Sequence, residues 1–254
     1  MDVIILAGGL GTRLSEYTSS TPKPMVTVGG KPLLVHIMEI YKKYNYSNFY
    51  IAMGYKADVI LKYFIGEEYI NIEKDNELIK VSEFTNLFQN NGLNINLVFT
   101  GENTMTGGRI KRMKNYISSE NFMVTYGDGL SSININDLSK FHKKNNKIGT
   151  MTAVRPPARF GELELEADRV TSFKEKPQLQ KGWINGGFFV FKNDFFNFIE
   201  NDQIMLEREP LEKLVKLNQL NAFKHDGFWQ CMDNKRDRDL LEKLYLEKEI
   251  PWIN

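Results

Sequence analysis

The chain has 254 residues, with 33 Lys and Arg against 32 Asp and Glu, three histidines (His36, His142, His225) and one cysteine, Cys231. So even a charge balance argues against a duplex nucleic-acid binder, which carries a basic surplus or a long basic stripe. One cysteine excludes an internal disulfide framework and a cysteine-built zinc cage, and so few histidines leave oxygen atoms as the expected ligands of any metal. The opening segment MDVIILAGGLGTR lacks a basic n-region, and no apolar run approaches the ~18–20 residues of a membrane span. The expected setting is a reducing cytoplasm, with neither membrane nor nucleic acid as partner.

In chain order, Asp2–Leu6 is a short, continuously apolar, β-branched run, as expected of a buried parallel strand. It runs directly into glycines. Pro22, Pro24 and Pro32 then keep the chain irregular until a helix beginning near Lys31, where Leu33, Leu34, Ile37, Met38 and Tyr41 recur at helical spacing. Asn48–Met53 reads as a second strand and Ala57–Phe64 as a second helix. Residues from about Glu67 to Asn94 are polar and poorly periodic, an excursion suited to a flap or an assembly contact. Strands follow at Ile95–Phe99, Phe122–Thr125 and Gly149–Val154, with helices at Thr106–Tyr116 and Ile135–Asn145. Glu162–Leu165 and Val170–Phe173 alternate like an antiparallel pair, Ile184–Phe191 reads as a strand, and two helices and a short strand at Asn221–Phe223 fill the remainder. This alternation predicts one α/β domain over residues 1–254, with a mixed, mostly parallel sheet flanked by helices.

The strongest chemical signal follows the first strand. Gly8, Gly9 and Gly11 allow backbone N–H groups to approach an anion closely, and Arg13 and Lys23 add fixed positive charge suited to a polyphosphate. The plainer alternative is a tight turn with two solvated cations. A dinucleotide fingerprint fails because Leu14 stands where its third small residue belongs, and no Gly-Lys-Ser/Thr of a P-loop is present. Asp128, between Gly127 and Gly129 just after an apolar strand, is placed to face a cleft at the sheet's carboxyl edge. Asp233 lies in a second loop. Together they are candidates to hold Mg²⁺, although Asp in a turn more often only stabilises the turn. Asn185 precedes two glycines on an apolar strand, where a buried amide needs partners that a ligand could supply. Arg109, Lys111, Arg112 and Lys114 form a basic cluster whose default reading is a solvated helix face. Trp229 and Cys231 read as packing residues.

Residues 6–14 together with Pro22-Lys23-Pro24-Met25 resemble the signature of the sugar-phosphate nucleotidyltransferases. Residues 100–109, 126–129, 159–161, 173–177, 184–189 and 228–233 resemble the glucose-1-phosphate cytidylyltransferase branch of that family, so the likeness runs through nearly the whole chain. The resemblance implies a Rossmann-like domain that transfers CMP from CTP to a small phosphorylated acceptor with release of pyrophosphate, in bacterial surface-polysaccharide synthesis. Glucose-1-phosphate is the default acceptor. A phosphoglutamine cytidylyltransferase of capsule phosphoramidate synthesis is similar to the same branch, so a non-sugar phosphate stays open. A non-catalytic nucleotide-binding module is the alternative from another class.

The resemblance implies that Leu6, Gly8, Gly9, Gly11, Thr12, Arg13, Lys23, Thr106, Arg109 and Asp128 surround the nucleotide. Arg13, Lys23 and Asp128 carry catalysis, and Asp128 and Asp233 hold the metal. Tyr126, Glu175, Lys176, Asn185 and Gly186 meet the acceptor. It also implies a homo-oligomer. The chain departs from the branch at Ser131, Ser132 and Asn134, at Leu206 in place of a Trp, and at Cys231 and Asn234 in place of a Pro and a Thr. These departures are expected to line or support the acceptor pocket, away from the phosphate and metal machinery.

Overall fold

The computed structural model describes residues 1–11, 20–67, 78–81, 92–156, 162–174 and 182–253. The uninterrupted apolar run at the start forms β1 (Val3–Leu6), with all four residues buried. Val3 and Ile5 enter one hydrophobic cluster and Ile4 and Leu6 another, so the period of two along the strand feeds cores on both sides of the sheet. A tight ribbon, β2 (Thr27–Val28) and β3 (Lys31–Pro32), turns through Gly29 and Gly30, both at positive φ. It leads into α1 (Leu33–Lys42), of whose ten residues eight are buried. Then come β4 (Asn48–Met53), α2 (Ala57–Ile65), β5 (Leu78–Lys80), β6 (Asn94–Phe99) and α3 (Thr106–Arg112). The second half holds β7 (Asn121–Tyr126), β8 (Gly129–Ser131), α4 (Ile135–Asn145), β9 (Gly149–Val154), β10 (Glu162–Glu166), β11 (Arg169–Lys174) and β12 (Ile184–Lys192). It closes with α5 (Glu209–Lys216), β13 (Leu220–His225), β14 (Trp229–Cys231) and α6 (Lys235–Leu246).

The central sheet has eight strands in the order β13-β9-β12-β7-β1-β4-β6-β5. Most neighbours are parallel; β12 runs antiparallel to both β7 and β9, and β5 antiparallel to β6. From β1 the chain builds β4 and then β6 on one side, while β7 pairs with β1 on the other. The strand order thus reverses at β1. Loops leaving the carboxyl ends of β1 and β7 diverge there and leave a crevice between them, the usual ligand position in such sheets.

The predicted strands and helices appear at their expected places with ends that differ by up to four residues, and the segment before α1, expected to be irregular, holds the β2–β3 ribbon. The helix predicted to reach Tyr116 ends at Arg112. Beyond it, Met113, Lys114 and Tyr116 bond three residues back, a tighter turn that delivers Ile117 into the core. The strand read as Ile184–Phe191 extends to Lys192 and carries a bulge between Asn185 and Phe189. The two-stranded ribbon of β8 with β14 was not anticipated. The excursion at Glu67–Asn94 lies mostly outside the described residues; of it, β5 is seen, pairing with β6 at the sheet edge. Among the described residues no helix is long and apolar enough to cross a membrane.

His142 ties α4 to the sheet, with Nδ1 2.9 Å from Thr150 Oγ1 and Nε2 3.1 Å from Asn121 Oδ1. Burial, helped by Lys192 and Lys143, pushes its pKa down from 6.5 to about 4. A depressed folded value means that the unfolded chain takes up the proton first. The stabilisation is therefore whole above pH 6.5 and is lost as pH falls towards 4. In that window His142 is expected to contribute about 1.4 kcal/mol of lost stability per pH unit. Chemical denaturation of the wild type and His142→Gln from pH 7 to 4.5 measures it, and parallel pH slopes for the two would remove His142 as a source.

Candidate active site

The crevice is a half-open cleft of about 900 Å³, lined by the glycine loop after β1, by Lys23 and Pro24, by residues 125–129 and 184–188, and by Trp229, Gln230, Cys231 and Asp233. That volume lies at the upper end of the roughly 300–1,000 Å³ typical of ligand sites, enough for a nucleotide and a second small molecule. Leu6, Gly8, Gly9 and Gly11 all lie on its wall, with Gly11 at φ 62°. Gly8 and Gly54 flank the Arg109 guanidinium so closely that a Cβ on either would overlap it. Thr12 and Arg13 lie outside the described residues, as do Glu175 and Lys176.

Lys23 is the centre of the cleft's electrostatics. A three-residue 3₁₀ turn at Lys23–Met25, bounded by Pro22 and containing Pro24, fixes its backbone. Its Nζ lies 2.6 Å from Asp128 Oδ2 and 2.6 Å from Asp233 Oδ1, although the two aspartates are 105 residues apart. Burial alone lowers the ammonium's pKa, but Asp128, Cys231 and hydrogen bonds to both carboxylates outweigh it, and the net shift is upward. Lys23 is therefore a permanent cation at neutral pH.

The β8–β14 ribbon makes this meeting possible. Its register sets Gly129 opposite Cys231, and Met232 N–H donates to Asp128 O at 2.9 Å, so the residue before β8 and the residue two after β14 face the same space. Asp233 is held from behind: its N–H donates to Asp237 Oδ2, while Asn234 caps α6 by accepting from Asp237 N–H. Asn caps a helix as well as Thr does, so the departure at Asn234 preserves the geometry. Cys231 does not. Its thiol faces the cleft within 4.8 Å of carboxylate oxygens of Asp128 and Asp233, which corrects both its reading as a packing residue and the expectation that the departures avoid the metal machinery. Leu206 and Ser131, by contrast, are fully buried. Ser131 Oγ donates to Phe228 O, and Leu206 packs in the second hydrophobic cluster.

The two carboxylates suit a small divalent cation, because Mg²⁺ takes oxygen ligands and is commonly bound through one or two carboxylates. Asp128 and Asp233 already share one cation, the Lys23 ammonium, which shows that the pair is arranged to concentrate positive charge.

Arg109, expected at the nucleotide, lines the cleft and is also tied to the loops around it. Its guanidinium donates to Met53 O, Thr100 Oγ1, Gly101 O, Gly8 O and Glu102 O at 2.7–3.2 Å, and the residue is 3% exposed. Burial, with Arg112 nearby, brings its pKa down to about 10, still a cation at neutral pH. Those five contacts occupy Nη1 and Nη2 and brace the glycine loop from behind; Nε–H takes part in none of them, and Arg109 also lines the cleft. Gly107 and Gly108 let α3 lie against the backbone of residues 202–206, with Met105 N–H bonded to Asp202 O and Gly108 N–H to Ile204 O.

The expected acceptor residues converge through a side chain that the sequence reading did not single out. Tyr126 Oη donates to Glu207 Oε1 at 2.6 Å and accepts from Asn185 Nδ2 at 3.0 Å. Burial and then the Glu207 carboxylate raise the Tyr126 pKa, keeping the phenol protonated. Thr106 Oγ1 donates to the other Glu207 oxygen at 2.8 Å. The β12 bulge at Gly186 and Gly187 aims Asn185 inward; Asn185 Oδ1 accepts from Gly187 N–H, and Gly187 sits at φ 81°. Trp229 closes this wall by donating from Nε1 to Gly186 O at 2.8 Å. Glu207 directly follows Leu206, a departure expected to line or support the acceptor pocket, but its own partners lie 81 and 101 positions away and no local signal names them.

Glu207 thus links a residue expected at the acceptor with one expected at the nucleotide. Glu207→Ala is expected to raise KM for both substrates by roughly 3–30-fold, the range of one or two lost hydrogen bonds. Because the side chain is exposed, the unfolding temperature should hardly change. Steady-state kinetics with each substrate varied in turn tests this, and two unchanged KM values would exclude Glu207 from positioning.

A glycine loop at a topological switch point and a buried lysine bridging two aspartates thus line one cleft. The nucleotidyl transferase family model matches residues 2–233. The chain belongs to the nucleotidyl transferase family. Glucose-1-phosphate cytidylyltransferases of Salmonella typhi and Salmonella typhimurium are each 43% identical to it over 99% of this chain and 98% of their own length. Among solved structures, HddC from Yersinia pseudotuberculosis superposes with a TM-score of 0.68 at 26% identity, covering 96% of this nucleotidyl transferase and 99% of that chain.

Proposed function

We propose that this nucleotidyl transferase moves CMP from CTP to glucose-1-phosphate, yielding CDP-glucose and pyrophosphate. The observation that carries the reading is Lys23 Nζ, held 2.6 Å from both Asp128 and Asp233 at the mouth of the glycine loop. It is the arrangement that bringing several phosphates together demands. The full-length likeness to the two Salmonella enzymes supports the choice of CTP and of the sugar phosphate.

In the reaction an oxygen of the acceptor phosphate bonds to the α-phosphorus of CTP, and the bond from that phosphorus to the bridging oxygen breaks as pyrophosphate leaves. The acceptor phosphate is already ionised at neutral pH, so no residue need act as general base. Backbone N–H groups of the glycine loop bind phosphate oxygens, and Arg13 holds the departing pyrophosphate. Lys23 neutralises charge building on the α-phosphate. Asp128 and Asp233 would hold Mg²⁺, which would supply further positive charge to offset repulsion between the two substrates. Asn185, set by Tyr126 and the β12 bulge, presents its second amide N–H to the sugar, and Tyr126, whose O–H is given to Glu207, presents an acceptor lone pair, while Lys176 and Glu175 anchor the acceptor phosphate and hydroxyls.

Magnesium as the cation, a homo-oligomeric state and a place in surface-polysaccharide synthesis belong to the same proposal and rest on the family resemblance. Pyrophosphate release with Mg²⁺ and CTP, with glucose-1-phosphate set against a panel of phosphorylated non-sugars, tests the reading. Turnover confined to a non-sugar phosphate would move the acceptor assignment, and silence with every pair would remove the catalytic one.

A further inference from the structure

Cys231 occupies a position that the proposed transfer does not require. Its Sγ and one carboxylate oxygen from each of Asp128 and Asp233 lie within 4.8 Å of one another, in the wall of the cleft. Ligands about 2.0–2.3 Å from a common ion sit some 3–4 Å apart, so small side-chain adjustments bring these three onto one centre. Across the ribbon the thiol faces Gly129, which presents no side chain to block it. The charge count also closes. Two carboxylates and a thiolate carry three negative charges, and Lys23 together with one divalent cation carries three positive ones.

We propose that Asp128, Asp233 and Cys231 form a mixed oxygen and sulfur site that binds thiophilic divalent cations, represented by Zn²⁺, Co²⁺ and Cd²⁺, more tightly than Mg²⁺. The proposal rests on the reading of Asp128 and Asp233 as the cation-holding pair, and goes beyond it by adding the third ligand and the change of preference. Mg²⁺ gains little from sulfur, whereas the later first-row ions and Cd²⁺ bond strongly to it. Binding replaces the S–H bond with an S–metal bond and releases the proton to solvent. Such a cation competes with Mg²⁺ for the two carboxylates, so the chain discriminates between metals through one side chain.

The chain contains a single cysteine, so a sulfur-to-metal charge-transfer band can arise from no other residue. The experiment titrates the metal-free full chain with Cd²⁺ and reads that band in the ultraviolet, with Mg²⁺ affinity measured by competition. One saturable equivalent with the band is expected for the wild type. In Cys231→Ala the band is absent and Cd²⁺ affinity falls at least ~10-fold, while Mg²⁺ affinity changes less than ~3-fold. In Asp128→Asn the thiol remains but Cd²⁺ affinity again falls at least ~10-fold. Cd²⁺ binding without the band overturns the proposal, as does a band indifferent to Asp128→Asn, which would report a lone thiol. Pyrophosphate release with Mg²⁺ is followed in parallel. Turnover without the band defeats this inference and leaves the proposed function standing; the band without turnover does the reverse.

Discussion

Replacing Lys23 with methionine lowers kcat for pyrophosphate release by about 10²–10³-fold, the usual cost of removing one preorganised charge partner from a transition state. The loss falls on kcat more than on KM, because the charge that Lys23 neutralises grows as the phosphorus is attacked. The substitution also leaves Asp128 and Asp233 facing one another without the ammonium that now lies 2.6 Å from each. In the metal-free variant their mutual repulsion lowers the unfolding temperature, and added Mg²⁺ restores part of it by taking over the neutralisation. Calorimetry with and without Mg²⁺, read beside the kinetics, separates the two effects. A variant that turns over at the wild-type rate would show that Lys23 serves only to hold the aspartates.

Asp128→Asn is expected to cut turnover at least ~100-fold with the fold intact. Asparagine keeps the shape and an acceptor for Lys23, and the backbone carbonyl of residue 128 still pairs with Met232 N–H, so the β8–β14 ribbon survives. What is lost is one full negative charge at the cation-holding pair. Unchanged far-ultraviolet circular dichroism together with collapsed turnover is the expected pair of readings, and near-normal turnover would remove Asp128 from the metal site.

The glycine loop, Lys23 and Asp128 were legible because their chemistry is written locally: small residues after a buried strand, a lysine between prolines, an aspartate between glycines. Arg109 was legible as an important cation, but its role was not. A guanidinium on a solvated helix face and one that braces a loop look alike in one dimension, and the five oxygens around Nη1 and Nη2 show that it braces the loop. Glu207 was illegible because its partners, Tyr126 and Thr106, lie about a hundred residues away. Cys231 read as an inert core residue because small apolar residues usually are, and its place in the cleft comes from the ribbon register that sets it opposite Gly129.

Local sequence was enough for the order and type of the main strands and helices, the burial of β1, the glycine loop that follows it and the residue types that a phosphate-handling centre requires. Those features depend on hydrophobic periodicity and on local backbone freedom, both of which act over a few residues. The tertiary structure alone decided that Asp128 and Asp233, 105 positions apart, close on one lysine, that a thiol lies near both, and that Glu207 bridges Tyr126 and Thr106. These are long-range pairings set by strand order and register. A one-residue change of register at β8 and β14 would turn the same side chains away from the cleft without altering any local signal.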